Sequence, residues 1–170
     1  KLFKNGEPYK MSKRAGEFIS AQDLLKEVKK DQLRFMMLNR SNDVELDFDF
    51  DKVKEKSKEN PVFYVQYAFA RISSIFKNLN LNIKDEIKLK EDEFKINNYE
   101  IEILKKILEW PKCIESTILK LEPHNIPFYL YELSTLFHSY WNLGNENKEF
   151  RFTIDNKKVN TSRLLVLQAL

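Results

Sequence analysis

From Asn60 to the end of the chain, apolar residues recur at intervals of three and four. Val62, Tyr64, Val65, Ala68, Ile72, Ile75 and Phe76 predict one long helix that reaches about Leu79. Asn60-Pro61 reads as its N-cap and first-turn pair. The same period predicts helices at about Asn98 to Glu109, Pro111 to Leu121 and Ile126 to Leu143. Gly144 is expected to stop the last of these from the C′ position. A short segment follows from Phe150 to Ile154, then a final helix from about Thr161. Asn80 to Lys95 is polar, with Asp85, Glu86, Glu91, Asp92 and Glu93, and reads as a loop. Several amphipathic helices with short connections predict a mainly α fold, a helical bundle.

Before Asn60 the pattern is shorter in range. Leu2 to Lys4 and Pro8 to Lys10 flank Asn5-Gly6, a hairpin signal that Pro8 weakens in its second strand. Ser20 with Asp23 predicts a capped helix with Leu24, Leu25 and Val28 on one face. Asp31 is expected to cap the next helix, with Leu33, Met36, Met37 and Arg40 along one side. The apolar side of these two helices needs a partner beyond residues 1–40. Residues 43–51 alternate: Val44, Leu46, Phe48 and Phe50 against Asp43, Glu45, Asp47, Asp49 and Asp51. That predicts a half-buried extended segment with a solvated acidic face, since spacing by two along a strand spreads the carboxylates too far for a metal site. Lys52, Lys54, Lys56 and Lys58 then predict an exposed short helix.

Composition narrows the chemistry. A net charge of +3 leaves any nucleic-acid surface as a local patch rather than a basic arm. Cys113 is the single cysteine, which excludes an internal disulfide and a cysteine zinc site; His124 and His138 are too few to revive a structural metal. The three glycines, Gly6, Gly16 and Gly144, cannot build a Walker loop or a dinucleotide fingerprint. No apolar run approaches the about 18 residues of a membrane span, and there is no signal peptide, so the expected compartment is the cytoplasm. Lys1 opens directly into a strand and Leu170 ends within an apolar run, so both ends are expected to be cut from something longer.

Two stretches carry candidate chemistry. Lys10-Met11-Ser12-Lys13-Arg14 puts three cations on a loop between Pro8 and Gly16. Such a loop suits a polyphosphate whose charge must be stabilised as it leaves; by composition alone it is more often a solvated basic loop. Tyr64, Tyr67 and Arg71 share one face of the long helix, and no acid lies between Glu59 and Asp85. That stripe can stack splayed bases and contact phosphates, or the tyrosines can pack in the core with their hydroxyls satisfied. Tyr140-Trp141 poses the same alternative on a later helix, with one of the pair in the core.

KMSKR resembles the KMSKS signature of class I aminoacyl-tRNA synthetases, and Asp31-Gln32-Leu33-Arg34 resembles the Asp-x-Leu-Arg element at the exit from their catalytic domain. Asn60-Pro61-Val62-Phe63-Tyr64-Val65-Gln66-Tyr67-Ala68-Phe69-Ala70-Arg71-Ile72 resembles the first long helix of the anticodon-binding domain of arginyl-tRNA synthetases. The likeness continues through Tyr131-Glu132-Leu133, Tyr140-Trp141-Asn142 and Arg163-Leu164-Leu165. Cysteinyl enzymes share the Asp-x-Leu-Arg element without the Tyr-x-Gln-Tyr run. Phe69 stands where the family commonly has His, and Arg14 replaces the closing serine of the loop.

The resemblance implies an arginine–tRNA ligase, of which this chain is the carboxy-terminal part and inactive alone. The implied organisation is the end of a catalytic domain at residues 1–19, connecting helices with an acidic segment at 20–58, and the anticodon-binding bundle at 59–170. Lys10 and Lys13 would be catalytic, and Lys10, Met11, Ser12 and Lys13 would bind ATP, which carries Mg. Tyr64, Tyr67, Arg71 and Trp141 would contact tRNA-Arg. The family implies a monomer with ATP, arginine and tRNA-Arg as partners, and no membrane. Arginine codons are CGN and AGR, so such a surface must be strict at the central C of the anticodon and tolerant beside it. The alternatives are a non-catalytic helical RNA-binding or scaffolding module, or the corresponding part of a cysteinyl enzyme.

Overall fold

Two separate groups of buried apolar side chains organise the computed structural model, which describes residues 1–4, 6–9, 19–89, 94–155, 157–158 and 160–170. The chain divides into two units: Lys1–Tyr64 with Glu115–Phe128, and Val65–Ile114 with Tyr129–Leu170. The fold is mainly α.

In the first unit, β1 (Leu2–Lys4) pairs antiparallel with β2 (Glu7–Pro8), Phe3 opposite Pro8. Gly6 takes φ of 75°, a left-handed conformation that glycine adopts without a Cβ clash. Because the strand order is β2-β1-β3, Pro8 lies on an edge, where its missing N–H costs no ladder bond. β3 (Phe48–Asp49) pairs parallel with β1, Leu2 opposite Phe48. It runs straight into α3 (Phe50–Lys54), for which the Asp49 carboxylate accepts from the backbone N–H groups of Asp51 and Lys52. The extended segment is therefore shorter than the alternation predicts. Phe48 and Phe50 are buried, but Val44 is exposed, because the ladder holds the chain only at Phe48 and Asp49. Lys52 and Lys54 lie on the exposed side of α3; Lys56 and Lys58 fall beyond its end.

α1 (Ala21–Glu27) starts from a capping box in which Ser20 Oγ accepts from the Asp23 N–H and the Asp23 carboxylate accepts from the Ser20 N–H. The Ser20 hydroxyl and then the Lys26 ammonium hold the Asp23 carboxyl down at about 2. α2 (Lys30–Leu38) begins from Lys29, not from Asp31. Asp31 sits inside the first turn, where its charge opposes the positive end of the helix dipole. Leu24 and Val28 pack with Phe48, Phe50 and Val53, and Leu33 and Met36 close over them. Leu25 and Met37 point to solvent, since each helix meets this small core along one narrow stripe. The partner for the two helices is thus the stretch from Phe48 to Val53.

α4 (Pro61–Asn78) starts at the proline, and Asn60 O accepts the first helical bond from the Tyr64 N–H. The Asn60 amide turns back instead and donates to Val53 O and Glu55 O, at 2.8 and 2.7 Å. Asn60 thereby ties the α3 exit to the start of α4.

The second unit holds the larger core. Ala68, Ile72, Ile75 and Phe76 of α4 pack with Ile103 of α5 (Asn98–Leu108). They also pack with Leu133, Phe137 and Tyr140 of α7 (Asn125–Glu146) and with Leu164, Val166 and Leu167 of α8 (Thr161–Ala169). α6 (Trp110–Lys120) lies between α5 and α7 in the chain. Leu164 and Leu167 are 3% and 0% exposed, because the inner face of α8 is turned onto this cluster. A short 3₁₀ turn (Lys148–Phe150) and the strands β4 (Thr153–Ile154) and β5 (Lys157–Lys158) connect α7 to α8.

Gly144 does not stop α7; it lies inside the helix, which continues to Glu146. Its role is steric. A Cβ there would stand 3.3 Å from Phe150 O and 3.4 Å from Arg151 Cα, so glycine lets the returning backbone approach. Arg151 Nε then donates to Gly144 O at 2.9 Å.

Candidate nucleic-acid interface

α4 and α7 each bring one aromatic ring and one nitrogenous group to the same place in the second unit. On α4 these are Tyr67 and Arg71, four residues apart and so stacked along one face. On α7 they are His138 and Trp141, three apart. The Arg71 guanidinium carbon lies 4.2 Å from the Tyr67 ring centroid and 4.6 Å from that of Trp141, over both rings. Arg71 Nη2 donates to the Tyr67 hydroxyl at 2.8 Å, and Arg71 Nη1 meets His138 Nδ1 at 3.4 Å. The Tyr67 and His138 rings stack with centroids 5.6 Å apart.

The electrostatics follow from what surrounds the cation. No carboxylate among the described residues pairs with Arg71. Its charge is held by the negative faces of two rings, which attract it without neutralising it. Tyr67 is 40% exposed, Arg71 and Trp141 are half-buried, and His138 is buried. The arrangement therefore offers one accessible phenol ring and one unneutralised guanidinium, the two groups needed for base stacking and for phosphate contact.

Of the residues singled out in the sequence, the structure brings Tyr67, Arg71 and Trp141 together. Tyr64 is half-buried and belongs to the first unit. Lys10, Met11, Ser12 and Lys13 lie outside the described residues. His138 was considered in the sequence only as a metal ligand; its three-residue spacing from Trp141 is the signal that places it on the same helix face. Tyr140 is the core member of its pair, 1% exposed. Among the described residues no group of three or more His, Cys, Asp or Glu side chains is placed to hold a metal ion. No helix among them is long and apolar enough to cross a membrane.

Elsewhere in the second unit a buried polar network joins α5, α7 and α8. Glu100 Oε1 accepts from Arg163 Nε at 2.7 Å and from the Tyr140 hydroxyl at 2.5 Å, while Glu100 Oε2 accepts from the Asn97 N–H at 2.9 Å. Arg163 Nη1 also donates to the carbonyls of Glu149 and Arg151, at 2.8 and 2.6 Å. Burial, and then the hydrogen bond to Glu100, push the Tyr140 phenol well above its ordinary value. Sequence periodicity points to none of this network. The Asn97-x-x-Glu100 capping box was the one local signal available.

Residues 65–170 match the family model described as the DALR anticodon binding domain, and the chain belongs to that family. It is similar to arginine–tRNA ligases in particular. The one from Pelagibacter ubique (strain HTCC1062) is 59% identical over 170 residues, covering 100% of this chain and 30% of the relative. That from Roseobacter denitrificans (strain ATCC 33942 / OCh 114) is 48% identical over 173 residues, covering 99% and 30%. A solved structure described as an arginyl-tRNA synthetase of Campylobacter jejuni superposes with a TM-score of 0.77 at 31% identity, covering 99% of this chain and 35% of that one. The chain thus spans about 30% of the length of the curated relatives it matches.

Proposed function

We propose that this chain is the carboxy-terminal, tRNA-reading part of an arginine–tRNA ligase that works in the cytoplasm as a monomer. The whole enzyme would form arginyl adenylate from arginine and ATP and pass the arginine to the 3′ end of tRNA-Arg. Residues 59–170 would read the anticodon, 20–58 would connect, and 1–19 would end the catalytic domain. Lys10 and Lys13, with Met11 and Ser12 between them, would hold the ATP triphosphate. Mg bound to those phosphates would share the neutralisation of their charge. The chain without its catalytic domain would be inactive.

One observation carries the reading of the bundle: the Arg71 guanidinium lies over the rings of Tyr67 and Trp141 with no carboxylate partner among the described residues. A cation with no carboxylate beside it among the described residues, next to an exposed ring, suits an unstacked base and its phosphate, whereas a scaffolding contact with protein gains nothing from a charge left unneutralised. Tyr64 would also contact tRNA-Arg.

The test is direct binding of RNA stem-loops to the chain at fixed salt. A stem-loop with C at the centre of an arginine anticodon is expected to bind at least about tenfold more tightly than one with G there, since each wrong base forfeits at least one edge hydrogen bond. Equal binding of the two would refute anticodon reading. Affinity for both, with a steep loss in salt, would leave a non-specific RNA surface.

A further inference from the structure

His138 is a buried titratable group that the proposed function does not use. It is 4% exposed, so it cannot serve as a base-contacting residue like its neighbours. Yet it touches both members of the α4 pair: its ring stacks on Tyr67, and its Nδ1 faces Arg71 Nη1 at 3.4 Å. The ring of its chain neighbour Phe137 lies 5.4 Å away, tilted by 55° to the imidazole.

We propose that His138 is a positioning residue for RNA reading, whose Nδ1 holds the Arg71 guanidinium over the Tyr67 and Trp141 rings. The proposal rests on the anticodon-binding reading given above. The chemistry requires it to act as an acceptor, because a guanidinium has donors only. A neutral ring that accepts at Nδ1 carries its proton on Nε2. Tyr67 Oη and His138 Nδ1 then take the two terminal nitrogens of Arg71 separately, one from its own helix and one from α7. An arginine held by two acceptors and two ring faces has already lost most of its rotamer freedom before RNA arrives. Affinity gained in this way comes from pre-organisation rather than from a new contact.

The experiment measures binding of the C-centred stem-loop by fluorescence anisotropy, with a thermal melt of each variant. His138→Phe keeps a ring against Tyr67 and removes the acceptor. His138→Asn removes the ring and keeps an acceptor at the position of Nδ1. Arg71→Ala removes the cation itself. Arg71→Ala is expected to weaken binding by about tenfold or more, and His138→Phe by about tenfold, the scale of one hydrogen bond to a charged group. His138→Asn should stay within about threefold of the parent chain. In the Arg71→Ala background, His138→Phe should cost nothing further, because the group it positions is gone.

The proposal is overturned if His138→Phe binds like the parent chain. It is also overturned if the variant loses as much in the Arg71→Ala background as alone, which is the behaviour of a residue that merely supports the fold. Unchanged binding by Arg71→Ala would overturn the anticodon reading itself, and this proposal with it. If His138→Phe does not melt cooperatively, His138→Gln replaces it, since its amide reaches past the Nδ1 position. Retained binding in His138→Asn with loss in His138→Gln supports the role, and equal behaviour of the two overturns it.

Discussion

Arg163 on α8 and Glu100 on α5 form an ion pair at 2.7 Å, with side chains 7% and 0% exposed. Removing one member leaves the other charged, buried and short of a partner, which typically costs about 3–5 kcal/mol. Arg163 keeps the carbonyls of Glu149 and Arg151, so Glu100→Ala should fall at the lower end, about 3 kcal/mol. At this size about 1 kcal/mol moves the midpoint by about 2–4 °C, so the melting temperature should drop by roughly 10 °C. A drop of only a degree or two would mean that the pair contributes specificity without stability. Replacing both residues by leucine and methionine should recover most of the loss, because an apolar pair leaves no orphaned charge.

The same network sets an alkaline limit. The Tyr140 phenol is raised above its ordinary 10 by burial and by its bond to Glu100. In the unfolded chain it ionises near 10, whereas in the folded chain it stays protonated. The unfolded state therefore releases a proton first. The stability that Tyr140 contributes is whole below pH 10 and declines as the pH rises beyond it. Urea midpoints measured from pH 8 to 11 should fall more steeply in the parent chain than in Tyr140→Phe. Parallel curves would place the alkaline loss elsewhere.

Gly144→Ala sets two effects against each other. Alanine is favoured over glycine in a helix by about 1 kcal/mol. Its methyl group would meet Phe150 O at 3.3 Å and Arg151 Cα at 3.4 Å, both backbone atoms. That backbone is held by the Arg151–Gly144 hydrogen bond and cannot retreat cheaply. Overpacking of this kind costs about 1–3 kcal/mol, so the net effect should be a loss of about 1 kcal/mol, read as a lower urea midpoint at unchanged slope. A stabilised variant would mean that the segment after α7 moves freely.

Gly144 also marks the limit of what was legible in the sequence. The helices were legible because a period of three and four residues over Val62 to Phe76 records which face is buried. A glycine near a helix end, however, signals equally a left-handed stop and a close backbone approach, and only the path of Phe150 and Arg151 decides between them. The parallel pairing of Leu2 with Phe48 was hidden as well: the partners are distant in the chain, and the alternation over residues 43–51 marks an extended segment without saying which strand it pairs with. In the candidate site, Tyr67, Arg71 and Trp141 were found through spacing and resemblance together. Arg163 was marked by resemblance alone, and its pairing with Glu100 was not legible, because a buried charge looks like any surface charge until its partner is placed beside it.

In the whole ligase, Lys13→Ala should slow adenylate formation by about a hundredfold, as expected for a lost contact to charge that develops in the transition state. Binding of tRNA should be nearly unchanged, because on the proposed reading the lysine would act on the pyrophosphate rather than on RNA. Single-turnover rates within twofold of the parent enzyme would remove Lys13 from the catalytic role.

Tyr67→Ala separates an RNA surface from ordinary core. The ring is 40% exposed, stacked on His138 and bonded to Arg71. A fully buried aromatic costs about 3–5 kcal/mol when truncated, and a ring this exposed forfeits much less, so the melting temperature should move by only a few degrees. A base-stacking ring, by contrast, is worth about 1–3 kcal/mol of RNA affinity, so binding of the C-centred stem-loop should weaken by about tenfold or more. Part of that loss passes through Arg71, which would keep His138 Nδ1 but lose the hydroxyl it donates to. Tyr67→Phe isolates this part: it keeps the stacking face and should lose only about threefold, the scale of one modest hydrogen bond. A pair of measurements, melting and anisotropy on both variants, decides the matter. Collapse of the melting temperature with affinity intact would make Tyr67 a core residue and move the RNA surface to another face of the bundle.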